Sequence, residues 1–246
     1  MLIKKRNIEV ELEIIVLTYN NLKITKQFIS LLYKNTPQKF GLIIVDNNST
    51  DGTREYLEDL DYENLSLIFN DRNEGIVSGR NLGYKLSQES IGDVKYIVFL
   101  DNDQMCFKKG WLENHLEMMK KQDVDLIGIE AWQMKKDFYP FRKIKSINEK
   151  FSYLGCGGMM IKNEVIKNIG LFDERFFIYF EDPDFCFRCK DAGYRVGWNN
   201  LSVIDHQKHN LRLDGERRKY FMESWKKFRE KWKNYKIPEF SCKVIQ

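Results

Sequence analysis

The chain has 246 residues, 43% of them hydrophobic and 31% charged, the balance of a soluble globular protein of one large or two small domains, neither disordered nor membrane-spanning. No apolar run nears the roughly 18 residues of a transmembrane helix, the amino-terminal MLIKKRNIEVELEIIVL lacks the unbroken apolar segment of a signal peptide, and five cysteines without framework spacing point to reduced thiols and a cytoplasmic setting. The formal charge is +4, yet residues 208–236 alone hold eleven Lys or Arg against four Asp or Glu, so the basic character belongs to the carboxyl-terminal part.

Glu9 to Thr18 passes from charged alternation to a continuous apolar run, the pattern of a strand entering a buried sheet, and ends in Thr18-Tyr19-Asn20. Asn21 is expected to cap a helix reaching about Asn35. Gly41 to Asp46 is a second buried strand that ends at a carboxylate, followed by the turn-forming cluster Asn47 to Gly52. A helix from about Thr53 to Leu60 and a strand at Leu65 to Phe69 come next. Asn73-Glu74-Gly75 opens a helix to about Gln88, on which Gly75, Gly79 and Gly83 share one face and permit close packing. Lys95 to Asp103, KYIVFLDND, then reads as a strand covered on both faces. Asp101 and Asp103 fall at its carboxyl end, where open α/β sheets bind ligands. Mg²⁺ or Mn²⁺ would relieve the repulsion between the two acids; a solvated Asp-Asn-Asp turn is the other reading. A helix at Gly110 to Lys121 and a strand at Val124 to Ile129 extend the alternation, which predicts a mainly parallel, doubly wound sheet.

Ala131 to Lys150 mixes aromatics with five lysines and Arg142 and suits a mobile loop or flap. Gly155, Gly157 and Gly158 would let backbone pass close to a ligand or another strand. Glu181-Asp182-Pro183-Asp184 is a helix start with acids in the first turn; the helix runs to about Ala192, Gly193 stops it, and Asp184 and Arg188 are placed to pair. Cys186 and Cys189 form a C-x-x-C on this helix, without the second pair that zinc would need. Tyr194 to Val203 is strand-like, and His206 lies just beyond. In the tail, Phe221, Trp225, Phe228, Trp232 and Tyr235 make one apolar stripe on a helix that is otherwise basic. The stripe either packs on the core or docks the 212–236 helix on an anionic membrane surface; no nucleic-acid reader motif accompanies the charge, so no nucleic acid is expected.

VLTYN at 16–20, VDNNSTDGT at 45–53, NEGIVSGRNLG at 73–83, FLDND at 99–103, GGMMI at 157–161 and FDERFFIYFEDPDFCFRCKDAGY at 172–194 resemble, in their order and spacing, the family 2 glycosyltransferases of the GT-A fold, in their rhamnosyltransferase-like branch. The resemblance implies an α/β, Rossmann-like GT-A domain over 1–207, with a nucleotide-binding half at about 9–103 and an acceptor half at about 104–207. Residues 208–246 would be a helical extension. The implied reaction is inverting transfer of a sugar from a UDP-sugar or dTDP-rhamnose to a hydroxyl of a glycan or lipid-linked acceptor, as in cell-envelope polysaccharide synthesis. Thr18, Tyr19, Asn20, Asp46 and Asn48 would hold base and ribose, and Asn73, Gly75 and Arg80 would lie beside the diphosphate. Asn102 would sit near ribose or sugar. Asp101 and Asp103 resemble the D-x-D pair for Mn²⁺ or Mg²⁺, with His206 completing the metal site and His209 as a nearby competitor for that role. Asp182 matches the general base, with Glu181 as its rival. Two other readings share the layout: a sugar-phosphate nucleotidyltransferase, and a catalytically silent glycan-binding protein. The first expects a glycine-rich loop where Thr18-Tyr19-Asn20-Asn21 stands.

Overall fold

The computed structural model describes residues 2–6, 8–89, 93–106, 108–201, 204–206 and 215–242. The chain begins with β1 (Leu2–Lys4) and β2 (Leu12–Thr18), the latter buried along its whole length. Next come α1 (Leu22–Asn35), β3 (Gly41–Asp46), α2 (Thr53–Glu58), β4 (Leu65–Phe69), α3 (Gly75–Gln88) and β5 (Tyr96–Asp101). Each apolar run expected as a strand here is one, because both faces of the sheet are covered and no polar alternation is needed. The second half holds β6 (Gln104–Met105), α4 (Trp111–Gln122), β7 (Leu126–Gly128), β8 (Ala131–Met134), β9 (Pro140–Lys143), β10 (Tyr153–Leu154), β11 (Met159–Lys162) and α5 (Asn163–Ile169). It closes with α6 (Glu181–Asp191), β12 (Val196–Trp198), β13 (Asp205–His206) and α7 (Gly215–Trp232).

Eight strands form the central sheet in the order β1-β4-β3-β2-β5-β11-β7-β12. The pairs β2·β3, β3·β4, β2·β5 and β7·β12 are parallel, while β1 and β11 run against their neighbours. The sheet is thus mainly parallel, as expected. The chain winds outward from β2 to β3 and β4, then returns to the other side of β2 as β5. That reversal opens a crevice at the carboxyl ends of β2 and β5, the usual ligand position in such sheets. Register puts Leu17 beside Asp101 and Thr18 beside Asp46, so three strand ends meet there. Alternate residues feed two cores: Ile15, Leu17, Ile43 and Val45 face α3 and α6, and Ile14, Val16, Leu42 and Ile44 face α1 and α4. Each such side chain contributes about 1.5–3 kcal/mol on burial. Gly79 and Gly83 seat α3 on the sheet: a Cβ there would stand 2.3 Å from Leu17 Cδ1 and 2.6 Å from Ile15 Cγ2.

Several expectations need correction. Of the stretch expected as a strand from Glu9, only Leu12–Thr18 (β2) is one, and Glu13 within it is buried despite its charge. Arg6 holds it with two hydrogen bonds, at 2.8 and 2.5 Å, and burial pushes the Glu13 carboxyl up to about 7 against the pull of Arg6. Asn21 does not cap α1 with its side chain; it is left-handed at φ 68°, and the Leu22 N–H donates instead to Asp51 Oδ2 at 2.9 Å. Ala131 to Lys150 is not a structureless flap. It holds the hairpin β8–β9, which β10 extends to a three-stranded sheet. Of the strand expected at Tyr194 to Val203, the described residues form only β12, and residues 202–203 lie outside the described set.

The aromatic stripe of α7 packs on the core. Phe221, Phe228 and Trp232 are buried, with the Phe228 ring 5.3 Å from Phe180 and 5.1 Å from Phe187. Polar contacts fix the same interface: Trp232 Nε1 donates to the buried Asp184 Oδ1 at 2.9 Å, Lys231 Nζ lies 2.6 Å from that oxygen, and Ser224 Oγ donates to the Ile178 carbonyl at 2.7 Å. Asp184 also takes the expected bond from Arg188, at 3.0 Å. Residues 207–214 and 243–246 of the extension lie outside the described residues, and none of the described helices is long and apolar enough to cross a membrane.

Candidate active site

The crevice is held together by polar side chains that tie one strand end to the next. Asp46, buried at the end of β3, accepts from the Ser49 hydroxyl at 2.5 Å and the Ser49 N–H at 2.9 Å. Burial raises its carboxyl, with those bonds opposing. Ser49 in turn accepts from the Asn20 N–H at 2.7 Å, and Asn20 Oδ1 accepts from the Thr50 N–H at 2.8 Å. Asn20 and Asn48 are both left-handed, at φ 58° and 67°, a conformation that asparagine tolerates better than most residues. The Tyr19 ring is 51% exposed beside this turn, and its face is available to a planar base. Asn102 Nδ2 crosses from β5 to Thr18 Oγ1 at 3.3 Å and Thr25 Oγ1 at 2.9 Å.

Asn73 and Gly75 shape the next turn. Asn73 Oδ1 accepts from the Gly75 N–H at 2.9 Å, and Gly75 sits at φ +84° with no room for a Cβ, which would lie 2.5 Å from the Phe177 carbonyl oxygen. Asn47, which the sequence reading left as a turn former, is the organiser here. It is buried, donates to Asn73 Oδ1 and the Gly75 carbonyl at 3.2 and 3.0 Å, and accepts from Asn70 at 2.8 Å.

Arg80 joins the end of β5 to the start of α6. From the buried face of α3 its Nη2 donates to Asp101 Oδ1 at 2.7 Å and its Nη1 to Glu181 Oε1 at 3.0 Å. The guanidinium therefore fixes the end of β5 to the first residue of α6, where the N-terminal dipole favours acids. Glu181 is 5% exposed, and its Oε2 has no hydrogen-bond partner among the described residues. Asp182 is half-buried beside it. Burial raises both carboxyls, and Glu181's charge raises Asp182 further, well above the usual range. Tyr179 and Phe180, which lead into this turn, are left-handed at φ 68° and 69°, strain of the kind that collects at functional sites.

Gln104, a residue the sequence reading missed, supports the D-x-D turn. It is fully buried, its Oε1 accepts from the Asp101 N–H at 2.9 Å, and its Nε2 has no partner among the described residues. Gly157 makes room for it, since a Cβ there would come 2.5 Å from Nε2. Across the β6–β13 pairing, His206 is in register with Gln104, one residue from Asp103. The His206 side chain and all of His209 lie outside the described set. Among the described residues no three His, Cys, Asp or Glu side chains converge on one point. The donor set still suits Mg²⁺ or Mn²⁺, because such ions are commonly held by one or two carboxylates together with substrate phosphates rather than by an all-protein cage. Asp103 is half-buried in the turn where such a carboxylate is needed.

The model of the family described as "Glycosyl transferase family 2" matches residues 13–190, a span that contains every candidate residue above except His206 and His209. The chain belongs to glycosyl transferase family 2. It is 26% identical over 196 residues to the dTDP-rhamnosyl transferase RfbF of Shigella flexneri, covering 74% of this chain and 64% of the relative. It is 24% identical over 196 residues to the glycosyltransferase AglE of Haloferax volcanii, covering 74% and 62%. The chain thus spans a little under two thirds of these relatives. Among solved structures it resembles the mannosyltransferase PcManGT of Pyrobaculum calidifontis, determined with GDP-Man and Mn²⁺, at a TM-score of 0.64 and 16% identity over 94% of this chain and 66% of that one. It also resembles S. aureus TarS 1-349 with UDP, at a TM-score of 0.60 and 18% identity over 79% of this chain and 59% of that one. These likenesses place the family 2 chain in the GT-A fold, as expected.

Proposed function

We propose that this family 2 chain is an inverting glycosyltransferase that moves a sugar from a nucleoside diphosphate-sugar to a hydroxyl of a glycan or lipid-linked acceptor. One observation carries the reading: Arg80 bonds both Asp101 and Glu181, so the donor-side acid and the pair Glu181-Asp182 belong to one site. RfbF and PcManGT support a nucleotide-sugar donor in this family and fold by what their names and complexes state.

In this account Tyr19, Asn20 and the Asp46 turn receive base and ribose at the exposed end of the crevice. Asp103 and His206 would hold Mn²⁺ or Mg²⁺, with Asp101 kept in place by Arg80. When bound, the cation neutralises the charge that develops on the departing diphosphate. Asp182 accepts the proton of the acceptor hydroxyl as that oxygen attacks the anomeric carbon from the side opposite the diphosphate. A raised carboxyl suits this task, since a base works best when its pKa lies near the working pH. Glu181 is held by Arg80 and orients the turn that carries Asp182. Five cysteines unpaired in disulfides agree with a cytoplasmic setting. Contact with a membrane surface would rest on the basic residues of α7 alone, because its aromatic stripe is in the core.

Asp182→Asn tests the assignment of the base. The variant is expected to bind donor as the parent does and to lose about 10²- to 10⁴-fold in transfer; turnover near the parent's would remove Asp182 from the role.

A further inference from the structure

A cavity of about 530 Å³ lies between the β8–β9 hairpin and the chain that leaves α7, apart from the strand-end crevice. Among the described residues its lining includes Lys136, Lys150, Lys233 and Lys236, with Glu239 as the single carboxylate. Lys150 is paired with Glu239 at 2.7 Å and Lys233 with Glu230 at 2.7 Å. Lys136 and Lys236 make no close ion pair among the described residues, although Lys236 joins Lys150 in holding the Glu239 carboxyl down; four lysines against one carboxylate leave the lining a net positive charge. Phe141 and Tyr235 add rings to the same walls, with Phe141 57% exposed, while Phe151 is buried beneath them against Phe240.

Each property narrows the ligand. A concave volume within the roughly 300–1,000 Å³ range of small-ligand sites accepts about two or three sugar units. Aromatic faces carry negative charge density and attract the polarised C–H groups of a pyranose. The excess of lysines favours an anion over a neutral chain of equal length. A membrane surface would call for a protruding apolar face, whereas the aromatic rings here line a hollow.

One wall of the cavity is built on the chain that enters the strand packed against α6. Phe151 and Ser152, in its lining, lead directly into β10. The Leu154 N–H of that strand donates to Cys186 Sγ on α6 at 3.4 Å, and α6 begins with Glu181 and Asp182. Between them, the Tyr153 phenol is raised by burial and, next, by the charge of Asp182. Phe151 to Leu154 are themselves buried, so β10 couples the cavity wall to α6 through the core.

We infer that this cavity is an acceptor subsite for an acidic oligosaccharide, holding anionic units of the acceptor chain outside the strand-end crevice. The inference rests on the glycosyltransferase reading and adds the acceptor class to it. Carboxylate and phosphate groups offer the lysines the same charge, so the test carries both.

The intact protein is titrated calorimetrically with maltotetraose, tetragalacturonate and a phosphate-bearing tetrasaccharide at physiological salt, alongside phosphatidylglycerol vesicles. One or both acidic tetrasaccharides are expected to bind at least about tenfold more tightly than maltotetraose. The double variant Lys136→Glu, Lys236→Glu is expected to lose that preference while keeping the parent's unfolding midpoint. Equal affinity for all three sugars, an unchanged preference in the double variant, or binding to vesicles alone would each overturn the inference. Nucleotide-sugar binding, followed in the same samples, judges the enzymatic reading separately: donor binding without acidic-glycan preference refutes only the subsite.

Discussion

Arg80 Nη2 lies 2.7 Å from Asp101 Oδ1, so the first acid of the D-x-D stretch already has a cation of its own. In the proposed account Asp103, two residues on and past the end of β5, is the acid that would meet a metal and the donor diphosphate. The account thus gives the two chemically alike aspartates different roles.

That difference predicts an order of effects. Asp103→Ala is expected to abolish Mn²⁺-dependent donor binding, and Asp101→Ala to weaken it while also loosening Arg80. Thermal unfolding with and without Mn²⁺ and donor measures both, because a ligand that binds only the native state raises its midpoint. The reverse order would exchange the two assignments.

With Asp182 as the proposed base, a pH dependence of transfer follows. As a base it works ionised, and burial together with the neighbouring charge of Glu181 raises its carboxyl. As pH falls, Asp182 therefore takes up its proton earlier than an ordinary carboxylate, and turnover is expected to fall from a correspondingly higher pH. Glu181→Gln removes the neighbouring charge and should move the acid limb of the kcat profile to lower pH. An acid limb in the ordinary carboxylate range in the parent, or one that does not move in the variant, would contradict the account.

Much of this arrangement was legible in the residues. GLIIVD and KYIVFLD lie between covered faces, so continuous apolar runs marked both the strands and the ends at which polar side chains collect. What could not be read was which side chains meet across the fold. Arg80 reaches partners 21 and 101 residues away, and periodicity carries no information on such pairs. Gln104 and Asn47 escaped for a related reason: each looks like an ordinary turn residue until burial forces it to bond backbone and side chains around it. The α7 stripe was plain as an apolar face, but its partners, Phe180 and Phe187, lie in another helix and the turn before it. In Ala131 to Lys150 the lysines disguised two strands, since β9 is exposed along most of its length.

Glu13 gives a stability prediction with a definite sign. Its folded pKa of about 7 lies above the ordinary value of 4.5, so the native state binds the extra proton and stability falls as pH rises between these values. Over that window the single group accounts for a loss of about 3 kcal/mol. Urea unfolding at a series of pH values measures it, and Glu13→Gln should flatten the slope between pH 5 and 7. An unchanged slope would show that Arg6 keeps Glu13 ionised in the folded chain.

Trp232→Phe tests how firmly α7 is joined to the core. The change keeps most of the ring but removes the 2.9 Å bond from Nε1 to the buried Asp184 carboxylate, and a bond to a charged group contributes about 1.5–3 kcal/mol. Chemical unfolding should show a loss in that range. Asp184 lies two residues after Asp182, so a parallel fall in kcat would extend the role of α7 to positioning the base.

The central claim is that the crevice at the ends of β2, β3 and β5 takes a nucleoside diphosphate-sugar together with a divalent cation. Calorimetric titration of UDP-, dTDP- and GDP-sugars into the protein, with Mn²⁺ and then with chelator, tests it most directly. The account predicts that one nucleotide class binds with Mn²⁺ and at least about tenfold more weakly without it; binding of none of the three, or binding indifferent to the metal, would contradict it.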